Sequence, residues 1–227
     1  MGSITRGLSN NITTGGVILP AGITNASVSA VTSFANAPAG TLRLISTQTA
    51  SSSATISFTT GLDSTYDAYE FHFINIRPDS DNVDFTFNLS TDSGSNYNVT
   101  KTTTSFRAFH DEGDVGGNVS YVAEDDLAQS TSFQLLTGAG GGSLMDSTSD
   151  EHLSGKLELF NPSSTTYVKH FIARTEYVAG GVGIIFSIDT FIAGYGNTTS
   201  AVNAIQFKMS SGNIADGIIK LYGVKKS

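Results

Sequence analysis

The sequence predicts an all-β protein, an antiparallel sandwich of jelly-roll type with an extended N-terminal arm. Three observations carry this. Apolar and polar residues alternate with period two in segment after segment, the signature of a strand with one face on a core. Strand signals recur every ten to fifteen residues from Thr41 onward, separated by Gly-, Asn-, Asp- and Ser-rich turns. Helical periodicity is nearly absent, so the strands have no crossover helices and should pair antiparallel.

The clearest stretch is Asp67 to Asn98. Tyr69, Phe71 and Phe73 alternate with Glu70, His72 and Ile74. Val83, Phe85, Phe87 and Leu89 then alternate with Asp84, Thr86, Asn88 and Ser90, which are expected to face water. Arg77 to Asn82 has turn chemistry, and Pro78 is expected to end the ladder. The segment reads as a β-hairpin with a long acidic loop.

Residues 1–41 differ from the rest. They hold Gly15-Gly16, Pro20-Ala21-Gly22 and Pro38-Ala39-Gly40 and too few apolar residues for a core, so they read as an extended assembly arm. β-capable pieces lie at Val17 to Leu19 and Val28 to Phe34. Residues 42–227 form a single sandwich domain. Its strands are expected at Leu42 to Ile45, Ala54 to Thr59, the two runs above and a Thr-rich segment from Tyr97 to His110. Further strands follow at Val119 to Ala123, Ser132 to Leu136, Gly155 to Phe160, Thr166 to Tyr177 and Gly183 to Ala193. The last two, Ala204 to Ser210 and Gly217 to Val224, are joined by a short turn and should be neighbours. Ala123 to Ser130 is the single helical turn, and Gly138 to Glu151 is the longest strand-free region of the body.

Composition bounds the function. Hydrophobic residues make up 39% and charged ones 14%, which suits a folded chain. There are no cysteines, so neither disulfides nor thiolate metal sites arise. The net charge of -8 disfavours binding to nucleic acid or to anionic membrane surfaces. Met1 to Asn11 lacks the apolar core of a signal peptide, and no apolar run spans a bilayer, so synthesis in a cytoplasm is expected. The sequons at Asn11, Asn25, Asn88, Asn98, Asn118 and Asn197 then follow from a chain rich in Ser, Thr and Asn.

No catalytic motif is present. There is no G-x-S-x-G elbow, and Gly138 to Gly142 lacks the Lys-Ser/Thr and helix of a phosphate cradle. His72, His110, His152 and His170 have no paired spacing and read as surface or edge residues. Acidic residues cluster at Asp79/Asp81/Asp84, at Asp111/Glu112/Asp114, at Glu124/Asp125/Asp126 and at Asp146/Asp150/Glu151. Calcium is one reading of such loops, although none matches the full calcium loop; turn initiation and solubility are the other. Two such carboxylates could also serve a glycan hydrolase. Tyr97, Tyr121 and Tyr195 could form a sugar platform or simply pack at edges. The catalytic, cofactor-binding and metal sites are therefore expected to be none.

Leu44 to Asn98 resembles a segment recurring in virion proteins of tailed bacteriophages, notably marine and cyanobacterial ones. The residues that carry it are ISF-x-x-GLD-x-x-Y-x-x-Y from Ile56 to Tyr69 and S-x-D-x-G-S-x-Y from Ser90 to Tyr97. Leu159 to Ile172 and Phe207 to Val224 are similar too, and the opening MGSITRGLSNNI more loosely so. The resemblance implies a non-enzymatic structural protein of the virion, a tail-associated fibre or adhesin-type subunit or else a capsid decoration (cement) protein. It implies other virion proteins as partners through the arm, and a homo-oligomer such as a trimer. A carbohydrate-binding module for host polysaccharide is the reading from another class, with a host surface glycan as partner.

Overall fold

The computed structural model describes residues 12–13, 16–17, 41–138, 144–181 and 184–224. The chain divides into two units, Met1–Gly40 and Thr41–Ser227. In the first, β1 (Ile12–Thr13) and β2 (Gly16–Val17) form a short antiparallel ladder. The rest of the predicted arm, including Val28 to Phe34, lies outside the described residues.

The second unit is a two-sheet antiparallel sandwich. Its strands are β3 (Leu42–Ser53), β4 (Ile56–Phe58), β5 (Ala68–Pro78), β6 (Phe85–Ser90), β7 (Lys101–Asp111) and β8 (Gly117–Tyr121). They continue with β9 (Gln134–Leu135), β10 (Leu153–Phe160), β11 (Lys169–Gly181), β12 (Ile184–Gly196), β13 (Ala204–Met209) and β14 (Ile214–Val224). Eight of them pair in the order β3-β14-β5-β10-β11-β12-β7-β8, and four in the order β4-β13-β6-β9. The pairing establishes the sandwich; jelly-roll wiring is not established by it. The only helical turn among the described residues is a 3-10 turn at Ala123–Asp125, shorter than the predicted Ala123 to Ser130.

The alternation worked as a burial signal but misled as a pairing signal. The predicted hairpin of Asp67 to Asn98 does not exist: β5 belongs to the large sheet and β6 to the small one. The two strands instead face each other across the core, where the rings of Phe73 and Phe85 meet at 5.3 Å, edge to face. Their apolar faces therefore meet face to face across the core instead of lying side by side on one sheet. β13 and β14 are likewise not neighbours; β13 lies in the small sheet and β14 in the large one, between β3 and β5. Arg77 and Pro78 belong to β5, not to the loop. Pro78 occupies the last strand position, opposite Ile214, where no following ladder bond is required of it.

Phe207 is the hub of the core. Its ring contacts those of Phe58, Phe71, Phe73, Phe85 and Phe87, with centroids between 5.2 and 6.4 Å. These five come from both sheets, so Phe207 ties the layers together.

Two further expectations are corrected. The whole of β6 is buried, including Thr86, Asn88 and Ser90, which alternation assigned to water. The chain on either side of β7 covers that outer face: Asn88 Nδ2 donates to the carbonyls of Tyr97 (2.7 Å) and Thr131 (2.9 Å). The strand predicted from Tyr97 begins only at Lys101, because residues 97–100 serve as this cover. The inner face of β7 is also polar: Lys101, Thr103, Ser105 and Arg107 are all buried. Residues 122–138 cross it and satisfy part of it. Thr103 Oγ1 donates to Gln134 Oε1 (2.7 Å), and Arg107 Nη1 donates to the Gly138 carbonyl (2.6 Å).

Candidate functional site

The acidic clusters are turn stitching. Asp79 Oδ1 accepts from the Asn213 N–H at 2.8 Å and from Ser80 Oγ at 2.9 Å. Asp81 Oδ1 accepts from the backbone and hydroxyl of Ser147, and Asp146 Oδ1 from the Asn82 N–H. Arg77 Nη1 donates to the Ser147 carbonyl at 2.8 Å. Together with the Val83–Met145 bridge, these bonds seam residues 79–84 to residues 145–147. Asp84 sits deeper and donors do not converge on it: Oδ1 accepts from Thr137 Oγ1, and burial raises its pKa. Asp111 Oδ1 accepts from the Val115 N–H, closing the turn before β8. Tyr121 donates its hydroxyl to Asp126, and Glu151 accepts from the Asp146 N–H. Among the described residues no group of three or more His, Asp and Glu side chains is arranged to hold a metal ion.

The histidines do not converge either. His72 Nε2 lies 2.7 Å from Glu70 Oε2, and its ring packs on Tyr222 at 4.7 Å. His110 lies near Asp114, and the His170 ring is 6.1 Å from that of Tyr195. Of the Gly-rich tract, residues 139–143 lie outside the described residues. No helix among the described residues is long and apolar enough to cross a membrane.

What the sheet order does assemble is an outer face. Following the register across the large sheet gives one transverse row: Tyr121, Phe106, Phe191, Arg174, Lys156, His72 and Lys220. Residues directly opposite in register share a face, and none of the seven is buried, which puts the row on the solvent side. The rings of Phe106 and Phe191 stack with centroids 4.9 Å apart and planes within 4°. From the other side of Phe191, the Arg174 guanidinium lies 4.7 Å from the ring centroid. It is held there by Asp189, through Nε–Oδ1 at 3.0 Å and Nη2–Oδ2 at 2.7 Å.

The row divides the face into two chemistries. Over β10, β5 and β14 it is charged, with Lys156 paired to Glu158 and near Glu70. Over β11, β12, β7 and β8 exposed apolar side chains predominate, beside Arg174, Asp189 and Glu176. Val119 is 69% exposed, Tyr121 64%, Ile172 50% and Phe106 45%. Beside the stack lies a hollow of about 560 Å³. Thr102, Tyr195, His170 and Phe160 line one end, and Ala193 offers only a methyl between its register neighbours Thr104 and Ile172.

Of the tyrosines singled out in the sequence, Tyr121 and Tyr195 lie on this face, whereas Tyr97 packs its hydroxyl near Gly94 in the turn after β6. Phe106, Phe191, Ile172 and Arg174 were not singled out. The signal that could have found them is the register of four strands, which no local pattern contains. Both faces of Phe191 are occupied, by Phe106 and by Arg174, so its ring offers an edge to solvent. Stacking of a sugar on a ring needs a free face.

No protein family, no characterised protein and no solved structure matches this chain.

Proposed function

We propose that the protein is a non-enzymatic structural subunit of a tailed-phage virion, a tail-associated fibre or adhesin-type component. The resemblance of Leu44 to Asn98 to virion proteins motivates the class. The structural observation that carries it is the exposed apolar half-face over β11, β12, β7 and β8, on which Val119, Tyr121, Phe106 and Ile172 all meet solvent. Contiguous exposed apolar surface is characteristic of proteins that act by contact. The loop carboxylates Asp79, Asp81, Asp111 and Asp146, by contrast, accept hydrogen bonds within and between turns.

Locating the subunit on purified particles by electron microscopy tests this reading. Density on the tail is the expected result. Density at the local symmetry axes of the capsid would sink the tail version in favour of a decoration protein, and absence from the particle would sink both.

A host-glycan module is the reading from another class, favoured by the walls of the hollow, where Tyr195, His170 and two threonines stand together. Calorimetry against host polysaccharide tests it: binding that weakens in Tyr195→Ala supports it, and flat isotherms reject it.

A further inference from the structure

We propose that the end of the sandwich where β7 and β11 begin is an acid-sensitive latch, held shut by two buried lysine amines and loosened when they are charged.

Lys101 is the first residue of β7 and Lys169 the first of β11. Both pair with Gly196, the last residue of β12, so the three form one transverse row. Residues opposite in register share a face, and both lysines are fully buried, so both side chains enter the core from this row. Among the described residues each amine donates only to neutral oxygens. Lys101 Nζ donates to Asn88 Oδ1 at 2.5 Å and to the Val99 carbonyl at 2.9 Å. Lys169 Nζ donates to the carbonyls of Tyr167 at 2.5 Å and Thr198 at 3.3 Å. The two side chains thereby hold Val99, Tyr167 and Thr198, one from each of three connections that close this end.

No described carboxylate lies within ion-pair distance of either amine. From β6 the row meets Asn88 and Leu89, from the chain before β7 it meets Val99, and Ser130 bridges the backbone of Lys101. None of these groups titrates. The titratable side chains nearby are engaged elsewhere. His170 and Tyr195 lie together on the outer face, Tyr167 is exposed, Tyr97 sets its hydroxyl near Gly94, and Asp92 is bound within its own turn to Ser90 and Asn96.

Burial without a counter-charge favours the neutral amine and lowers the pKa of both lysines, that of Lys101 to about 7. The penalty is therefore complete below about pH 7 and fades as pH rises. Each lysine stands at the first position of its strand, so opening a few residues at this end returns the ammonium to water while the sheets stay paired. With 10.5 in the open state and about 7 in the closed one, Lys101 alone makes the opening constant about tenfold larger at pH 6 than at pH 8.

Hydrogen exchange of the full chain, read by mass spectrometry at pH 6 and pH 8 and corrected for intrinsic rates, tests this. Peptides covering residues 97–103, 161–170 and 197–203 should open at least about tenfold more often at pH 6. Residues 210–216, at the opposite end, should not. Lys101→Met combined with Lys169→Met should remove the dependence. Lys101→Met alone should cut the ratio about tenfold and keeps the test valid if the double variant does not fold. His170→Gln should leave the dependence intact. Equal protection at both pH values overturns the proposal, as does a pH effect that survives Lys101→Met undiminished. An effect lost in His170→Gln overturns it in favour of the imidazole, and one spread evenly over all peptides overturns it in favour of the sandwich opening as a whole.

Discussion

Lys101 donates its ammonium to Asn88 across the sandwich: Nζ in the large sheet lies 2.5 Å from Oδ1 in the small one. The Val99 carbonyl accepts a second bond at 2.9 Å. The side chain is fully buried, and no described carboxylate lies within ion-pair distance of it. Burial without a counter-charge penalises the ammonium, and the pKa falls from 10.5 to about 7.

The sign of the consequence is fixed. Between about pH 7 and pH 10.5 the unfolded chain binds a proton at Lys101 that the folded chain has released. Stability from this group therefore rises as pH rises through that window, and the full penalty applies below about pH 7. Asn88 Oδ1 keeps a second donor, the Leu89 N–H at 2.8 Å, so Lys101→Met does not orphan it. We expect Lys101→Met to be more stable than wild type at pH 6, and the advantage to shrink steadily towards pH 10. Urea midpoints of both proteins across that range measure the difference and cancel the titration of all other groups. An advantage that does not change with pH would refute the assignment.

Phe207 touches five other phenylalanine rings drawn from both sheets. Truncation leaves a cavity at the junction of the layers that neither sheet can close alone. Phe207→Ala should cost about 3–5 kcal/mol, and Phe207→Leu clearly less. Denaturant unfolding of the two variants gives the comparison; equal costs would mean that the rings repack around the gap.

Much of this core could be read from the chain. Tyr69, Phe71, Phe73, Phe85, Phe87, Ile205 and Phe207 all alternate in sequence and are all buried. Alternation reports which side chains share a face, but it says nothing about which strand lies beside which. That is why β5 and β6 looked like a hairpin and are opposite walls. It also assumes that the second face meets water, which fails at Asn88, covered by the chain of Tyr97 and Thr131. The outer row was hidden for a related reason. Tyr121, Phe106, Phe191 and Arg174 lie far apart in sequence and meet only through the order β8-β7-β12-β11. The acidic loops were conspicuous in sequence because turns need Asp, as at Asp92. That carboxylate accepts from Ser90 and Asn96, which hold its pKa at about 2.

Arg77 clamps two segments. Its Nε and Nη2 donate to Asp216 Oδ2 at 3.0 and 2.5 Å, while Nη1 reaches the Ser147 carbonyl. Lysine keeps the charge and loses the fork. The pair is partly exposed, so Arg77→Lys should change global stability by no more than about 1 kcal/mol. The local effect should be larger, because residues 145–147 lose an anchor while the core is untouched. Limited proteolysis should show faster cutting near Ser147 at an almost unchanged denaturant midpoint. Unchanged cutting would mean that Asp81, Asp146 and the Val83–Met145 bridge hold the seam without Arg77.

Gly194 and Ala193 are adjacent on β12, yet they should respond oppositely to added bulk. Gly194 faces inward, between Phe171 and Thr103 in the register. A Cβ there would lie 2.6 Å from the Thr102 carbonyl oxygen, 2.7 Å from Thr103 Cγ2 and 2.9 Å from Phe171 Cζ. The first of these is backbone and cannot swing away. Phe171 is already set edge-on against Phe87 at 5.1 Å, so pushing it disturbs both sheets. Gly194→Ala should therefore cost about 1–3 kcal/mol through overpacking. Ala193 faces outward into the hollow, where Leu has room between Thr104 and Ile172. Ala193→Leu should leave the single-chain denaturant midpoint nearly unchanged. The pair separates the two sides of one strand in a single unfolding experiment: the order of the two midpoints must be Ala193→Leu above Gly194→Ala. The reverse order would mean that the register of β12 against β11 and β7 is off by one residue.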